Sequence, residues 1–156
     1  LKQKNNMAFY KPPANTATRN RNNNSVFLAG SIEMGAAENW QDIVGEFFHQ
    51  KNWNVLNPRR DDWDSSWKQT FEDAQFYQQV NWELNALEQA DLIIMYFDPN
   101  TKSPISLLEL GLFARSNKIK VVCPDGFWRK GNVEVVCDYY NIPFYNKLSD
   151  LFLDLE

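Results

Sequence analysis

Four carboxylates stand where the pattern of the chain makes chemistry possible: Glu33, Glu83, Asp98 and Glu109. Glu109 is the most conspicuous. It lies in the segment PISLLELGLF (residues 104–113), among Leu107, Leu108, Leu110 and Leu112, where the pattern predicts a buried helix. A carboxylate is not placed among leucines without compensation. Either a backbone or Tyr donor ties it down, or it is a working group, and we read it as the chemical centre. Glu83 lies beside the apolar stripe of the preceding predicted helix, the alternative being an ordinary surface position. Glu33 and Asp98 fall in loops, where capping competes with function as an explanation. Carboxylates without a metal suit glycosyl chemistry. One attacks or stabilises an oxocarbenium-like anomeric carbon, and another protonates the leaving group. Burial raises the pKa of such a nucleophile and nearby donors lower it, so the donors must win for it to be ionised.

Other chemistries lack their parts. The sole histidine, His49, falls near a helix end and reads as a solvated surface residue, so no His-based zinc site and no Ser–His–Asp set can be built. Cys123 and Cys137 give neither a disulfide framework nor a metal spacing. The loop GSIEMG at 30–35 is neither a Walker loop nor a G-x-G-x-x-G turn, which disfavours P-loop phosphoryl transfer and hydride transfer on a dinucleotide fold. We therefore expect no metal and no cofactor. The net charge of −4 argues against a nucleic-acid surface, although the first 21 residues are locally basic. No apolar run approaches the roughly 20 residues of a membrane span, and no signal peptide is visible, so a soluble, cytoplasmic protein is expected.

The elements that must hold these carboxylates follow from periodicity. Residues 1–24, rich in Asn, Lys and Arg, read as a flexible arm, and residues 25–156 as one domain. Strands are predicted at 25–29 (SVFLA), 53–56, 92–97, 119–123 and 142–145, alternating with helices at 38–51, 71–89, 104–113, 133–140 and 147–153. The 71–89 helix carries an apolar stripe of Phe76, Val80, Leu84 and Leu87. Ser103 is a candidate N-cap and Pro104 suits the first helical turn. Between the second strand and second helix, NPRRDDWDSS is too polar for a helix. There Arg59 and Arg60 either bind an anion or pair with Asp61 and Asp62, and Trp63 and Trp67 either stack on a flat ligand or pack. Alternating strands and helices predict a three-layer α/β sandwich around a five-stranded parallel sheet, with strand order 2-1-3-4-5 counted along the sequence. A ligand in such a sheet lies beyond the carboxyl ends of the first and third strands, at Gly30–Ser31 and Asp98, with Glu109 reaching the same crevice.

At this point the residues resemble a known family. FLAGS at 27–31, WELNALEQADLII at 82–94 and PISLLELG at 104–111 look like the nucleoside 2-deoxyribosyltransferases, over roughly residues 25–150. The resemblance implies a flavodoxin-like fold and movement of a 2-deoxyribosyl group between nucleobases through a covalent glycosyl-enzyme. It places the nucleophile on Glu109 and the acidic residue that handles the base on Glu83, where the family usually has Asp. Together with the strand ends and the loop carboxylate already singled out, it gives the expected substrate contacts as Phe27, Gly30, Ser31, Glu33, Asp98 and Ser103. Asn132 would be lent to a neighbouring subunit, which implies a homo-oligomer acting on a small nucleoside and a nucleobase. Two positions depart from the pattern. Phe27 stands where a Tyr hydroxyl often orients the nucleophile, and Ser103 stands where an acid is usual, with Asp98 five residues earlier as its possible substitute. Glu33, where related nucleotide N-glycosidases carry an Arg for a 5′-phosphate, suits a hydroxyl-bearing sugar better. The alternatives carried forward are an N-glycosidase that hydrolyses the same bond and a ligand sensor that binds without turnover.

Overall fold

The run LIIMY has no polar residue for either face of a strand, and it lies where that composition requires, at the centre of a parallel sheet covered on both sides. In the computed structural model, which describes residues 9–32, 39–60, 62 and 64–156, six strands form this sheet. They are β1 (Phe9–Tyr10), β2 (Ser25–Gly30), β3 (Asn54–Leu56), β4 (Leu92–Tyr96), β5 (Ile119–Val122) and β6 (Phe144–Tyr145). All neighbours are parallel, in the order β1-β3-β2-β4-β5-β6. The helices are α1 (Trp40–Gln50), α2 (Ala74–Gln89), α3 (Pro104–Phe113), α4 (Lys130–Tyr139) and α5 (Leu148–Leu155).

Side chains alternate across each strand, so the sheet separates two cores. Phe27 and Ala29 of β2 pack with Ala86 and Leu87 of α2, Leu110 and Phe113 of α3, and Val133 and Cys137 of α4. Val26 and Leu28 face Trp40, Val44 and Phe48 of α1 and Leu151 of α5. Glu83 and Glu109 both stand on helices of the first face. Cys123 and Cys137 are free thiols in that same core, pushed up to about 12 first of all by burial.

Three expectations are corrected. The sheet has six strands rather than five, and its full order differs from 2-1-3-4-5 because β1 is added beside β3 at the edge; the five strands read from the sequence keep that relative order inside it. Residues 9–24 are accordingly no loose arm. Phe9–Tyr10 pairs with β3, the Trp82 indole donates to the Ala14 carbonyl at 2.9 Å, Thr16 and Arg19 bond the Gln89 side chain, and Asn54 donates to the carbonyls of Asn20 and Asn23. A strap low in apolar residues is held by hydrogen bonds, which carry no periodicity to read. Finally, α2 begins at Ala74, because the Asp73 carboxylate accepts from the N–H groups of Gln75 and Phe76. Its buried face is Gln79, Ala86 and Leu87, while Leu84 is 39% exposed, so Glu83 lies on the inward stripe rather than beside it.

Candidate active site

Beyond the carboxyl ends of β2 and β4 the two loops are joined through Ser31. Its N–H donates to the Tyr96 carbonyl, and its own carbonyl accepts from the Trp40 indole at 3.0 Å and from Gln41 at 3.4 Å. Its hydroxyl accepts from the Asp98 N–H at 2.8 Å and lies 2.8 Å from Thr101 Oγ1 and 2.6 Å from Ser103 Oγ. Thr101 and Ser103 are themselves 2.8 Å apart, so three buried hydroxyls close a ring that ties the loop after β2 to the loop after β4. Asp98 is buried, and its Oδ1 accepts from the Asn100 N–H, which fixes the turn out of β4. Ser103 does not cap α3 with its side chain as expected; it takes a left-handed conformation at φ 47° and spends its hydroxyl on the ring. Pro104 then opens the helix that carries Glu109.

Gly30 makes the close approach possible. It sits at φ +133°, and a Cβ there would lie 2.2 Å from the Tyr96 carbonyl oxygen. Gly30→Ala is expected to destabilise the protein by about 2 kcal/mol or more, measured by denaturant unfolding, because backbone rather than a flexible side chain is in the way.

The second group is the carboxylate pair. Glu109 is 8% exposed, on the buried face of α3 with Ser106, Leu110 and Phe113. Glu83 is partly buried on α2, where its Oε1 accepts from Gln79 Nε2 at 2.7 Å. Burial, and then the charge of Glu83, push Glu109 up to about 8. Burial pushes Glu83 up to about 7 against the lowering effect of the Gln79 donor. No cation and no hydrogen-bond donor among the described residues accounts for Glu109. Near neutral pH such a pair holds about one proton and one negative charge between its members. That is the combination of acid and nucleophile that glycosyl chemistry needs.

The remaining residues singled out in the sequence divide. Phe27 is fully buried on β2, its ring 6.5 Å from Trp82, and has no hydroxyl to offer Glu109. Asn132 lines a groove of about 350 Å³ beside α3 whose lining includes neither glutamate, with Leu107, Gly111, Trp128 and Arg129. Glu33 lies outside the described residues, as do Asp61 and Trp63. Arg60 pairs with Asp62 at 2.5 Å and stacks on Trp67, while Arg59 donates to Asn39. Among the described residues no group of three or more His, Cys, Asp or Glu is placed to hold a metal, and no helix is long and apolar enough to cross a membrane. Thr101, Trp40, Gln41 and Gln79 were missed. For Gln79 a signal existed, since it stands one helical turn before Glu83; for the others only the folded loops bring the partners together.

Comparisons with known proteins give the architecture and the family. The chain is similar to a crystal structure of a conserved protein from Enterococcus faecalis V583, with a TM-score of 0.54 and 15% identity over 83% of this chain and 94% of that one. At that identity the likeness speaks for the fold. Comparison with curated proteins finds no match. The family model described as nucleoside 2-deoxyribosyltransferase like matches residues 23–127, a span that contains Ser31, Glu83, Asp98 and Glu109 and stops short of Asn132. With most of the domain inside the match, Glu83 and Glu109 included, the chain belongs to the nucleoside 2-deoxyribosyltransferase-like family.

Proposed function

We propose that the protein cleaves and re-forms the N-glycosidic bond of nucleosides, moving a 2-deoxyribosyl group between nucleobases through an ester on Glu109. The observation that carries this reading is the meeting of Glu83 and Glu109, from two different helices, with each raised into the range where one is charged and the other is not. A Glu109 oxygen attacks the anomeric carbon as the bond to the base nitrogen breaks, and Glu83 supplies the proton that nitrogen takes up. A second base then attacks the anomeric carbon from the opposite face, its N–H proton passing to Glu83 as the bond to the Glu109 oxygen breaks and frees the Glu109 carboxylate. The loop ends held together by Ser31, Asp98 and Ser103 would lie beneath the hydroxyl-bearing end of the sugar, with Glu33 as a further candidate contact.

A second reading, hydrolysis with water in place of the second base, is favoured by Phe27, which leaves Glu109 without the hydroxyl partner the family pattern supplies. Incubation with a panel of deoxynucleosides and one different free base separates the two. Transfer yields a new nucleoside, hydrolysis yields free base alone, and a ligand sensor returns its ligand unchanged. We include a homo-oligomer in the reading. Asn132 lines a groove that includes neither glutamate of its own chain, and the exposed Ile105, Leu108 and Leu112 give α3 an apolar flank through which a neighbouring subunit would bring its Asn132 to this site.

A further inference from the structure

Gln79 is 6% exposed, at the point where the loop after β3, helix α2 and the carboxylate pair meet. Its Nε2 donates to the Pro58 carbonyl at 3.1 Å and to Glu83 Oε1 at 2.7 Å. Its Oε1 is buried with no partner among the described residues. A backbone carbonyl can only accept, so Pro58 decides which end of the amide faces the loop. With that end fixed, Gln79 offers Glu83 a donor and never an acceptor. A donor favours the ionised carboxylate. A buried acceptor without a donor costs stability, and Met or Leu would fill the same space without that cost.

We propose that Gln79 is a positioning residue that keeps Glu83 ionised, so that the single proton of the pair rests on Glu109 until a nucleoside binds. This inference rests on the glycosyl-transfer reading and deepens it, because the proton then has a complete path. Glu109 passes its carboxyl proton to Glu83. The freed Glu109 oxygen forms its bond to the anomeric carbon, and the carbon–nitrogen bond breaks with its electron pair on the base. The base nitrogen takes the proton from Glu83. The pair begins with one proton and one negative charge; it ends as a neutral ester beside the Glu83 carboxylate, with the proton on the released base. No acid from solvent is required. Among the described residues the charge felt across the pair is that of Glu83 acting on Glu109, from α3, while Glu83 itself answers to burial and to Gln79. From the loop after β3, Arg60 is engaged by Asp62 and Trp67; the strap contributes the Tyr10 ring to the same core, and β2 contributes Phe27.

The test needs no substrate, so a protein without transferase activity still answers it. The full chain, labelled with carbon-13 at the glutamate side-chain carboxyls, is titrated by NMR, with Glu83→Gln and Glu109→Gln as assignment controls. In the wild type, Glu83 should titrate below Glu109, and the Gln79 side-chain amide protons should move with the Glu83 step. In Gln79→Met the Glu83 midpoint should rise by about 1–2 pH units and the order should reverse; Gln79→Leu serves if the Met variant does not fold. The proposal is overturned if Glu83 titrates above Glu109 in the wild type. It is equally overturned if the amide protons follow the Glu109 step, or if a folded Gln79 variant leaves both midpoints in place. Failure of the glycosyl-transfer reading would show elsewhere, as these titrations intact and no nucleoside consumed.

Discussion

Glu109→Gln is expected to reduce kcat/KM for deoxyribosyl transfer by about 10³-fold or more, with the fold retained. The amide is nearly the same size as the carboxyl group but carries no negative charge with which to attack an anomeric carbon. The loss should fall on kcat, because the residue forms its bond in the transition state and makes little contact with the bound nucleoside before it. Glu83→Gln should cost less, about 10²-fold, since it removes the group that relays the proton to the base and leaves in place the oxygen that forms the bond. That smaller loss should shrink further for a nucleoside whose base leaves readily without a proton, and the Glu109→Gln loss should not. A 2-fluoro sugar should add its mass to Glu109 in the wild type and in Glu83→Gln, and nowhere in Glu109→Gln. Retention of more than a tenth of wild-type activity in Glu109→Gln would sink the covalent mechanism.

What could be read in advance follows from how each residue announces itself. Residues 92–97 announce a two-sided strand by composition alone, and an acid inside PISLLELGLF announces itself by contrast with its neighbours. The family pattern adds Glu83 to Glu109, and the fold puts both helices on one side of the sheet. The phase of α2 was harder. Its start is set by Asp73, one capping side chain, and moving the start by three residues changes how its inward face is read. Of the stripe Phe76, Val80, Leu84 and Leu87 read in the sequence, Leu87 is buried, Phe76 and Val80 are half-buried and Leu84 is exposed, while the helix turns Gln79 inward beside Glu83. A polar residue on a buried face contradicts the pattern from which buried faces are inferred, and a functional site is where that contradiction is expected. Of the strap at residues 9–24 only the aromatic pair Phe9 and Tyr10 suggests an anchor in the sequence; its other attachments are hydrogen bonds to distant Trp82, Gln89 and Asn54, which no local pattern shows. The ring of Ser31, Thr101 and Ser103 joins residues some 70 positions apart, which no local spacing can show.

The thermal stability of the wild type is expected to be greatest near pH 5 and to fall steadily toward pH 9. Glu83 and Glu109 have an ordinary value of 4.5 in the unfolded chain, and the folded protein raises them to about 7 and about 8. Below pH 4.5 both states hold both protons and the pair contributes no pH dependence. Above it the unfolded chain releases two protons that the folded chain keeps, so the unfolded state gains with each step of pH until the folded pair has also ionised near pH 8. Each group contributes at most about 1.4 kcal/mol per pH unit, and over the intervals from 4.5 to about 7 and from 4.5 to about 8 the two together reach at most about 8 kcal/mol. The exposed aspartates act in the opposite sense and in another window. Asp73, lowered by the backbone donors that start α2, contributes stability that is lost as pH falls below its ordinary 3.8. The alkaline slope therefore belongs to the pair. Glu109→Gln should flatten it in part, Glu83→Gln combined with Glu109→Gln should flatten it nearly completely, and at pH 9 both variants should melt above the wild type while at pH 5 they should not. A wild-type melting temperature that stays level from pH 5 to pH 9 would mean that the two carboxylates are solvated, and a solvated Glu109 would have lost the environment that makes it a plausible nucleophile. Stability surrendered at neutral pH by two acids, and recovered by removing them, is the mark of groups kept for what they do to a substrate and not for what they do for the fold.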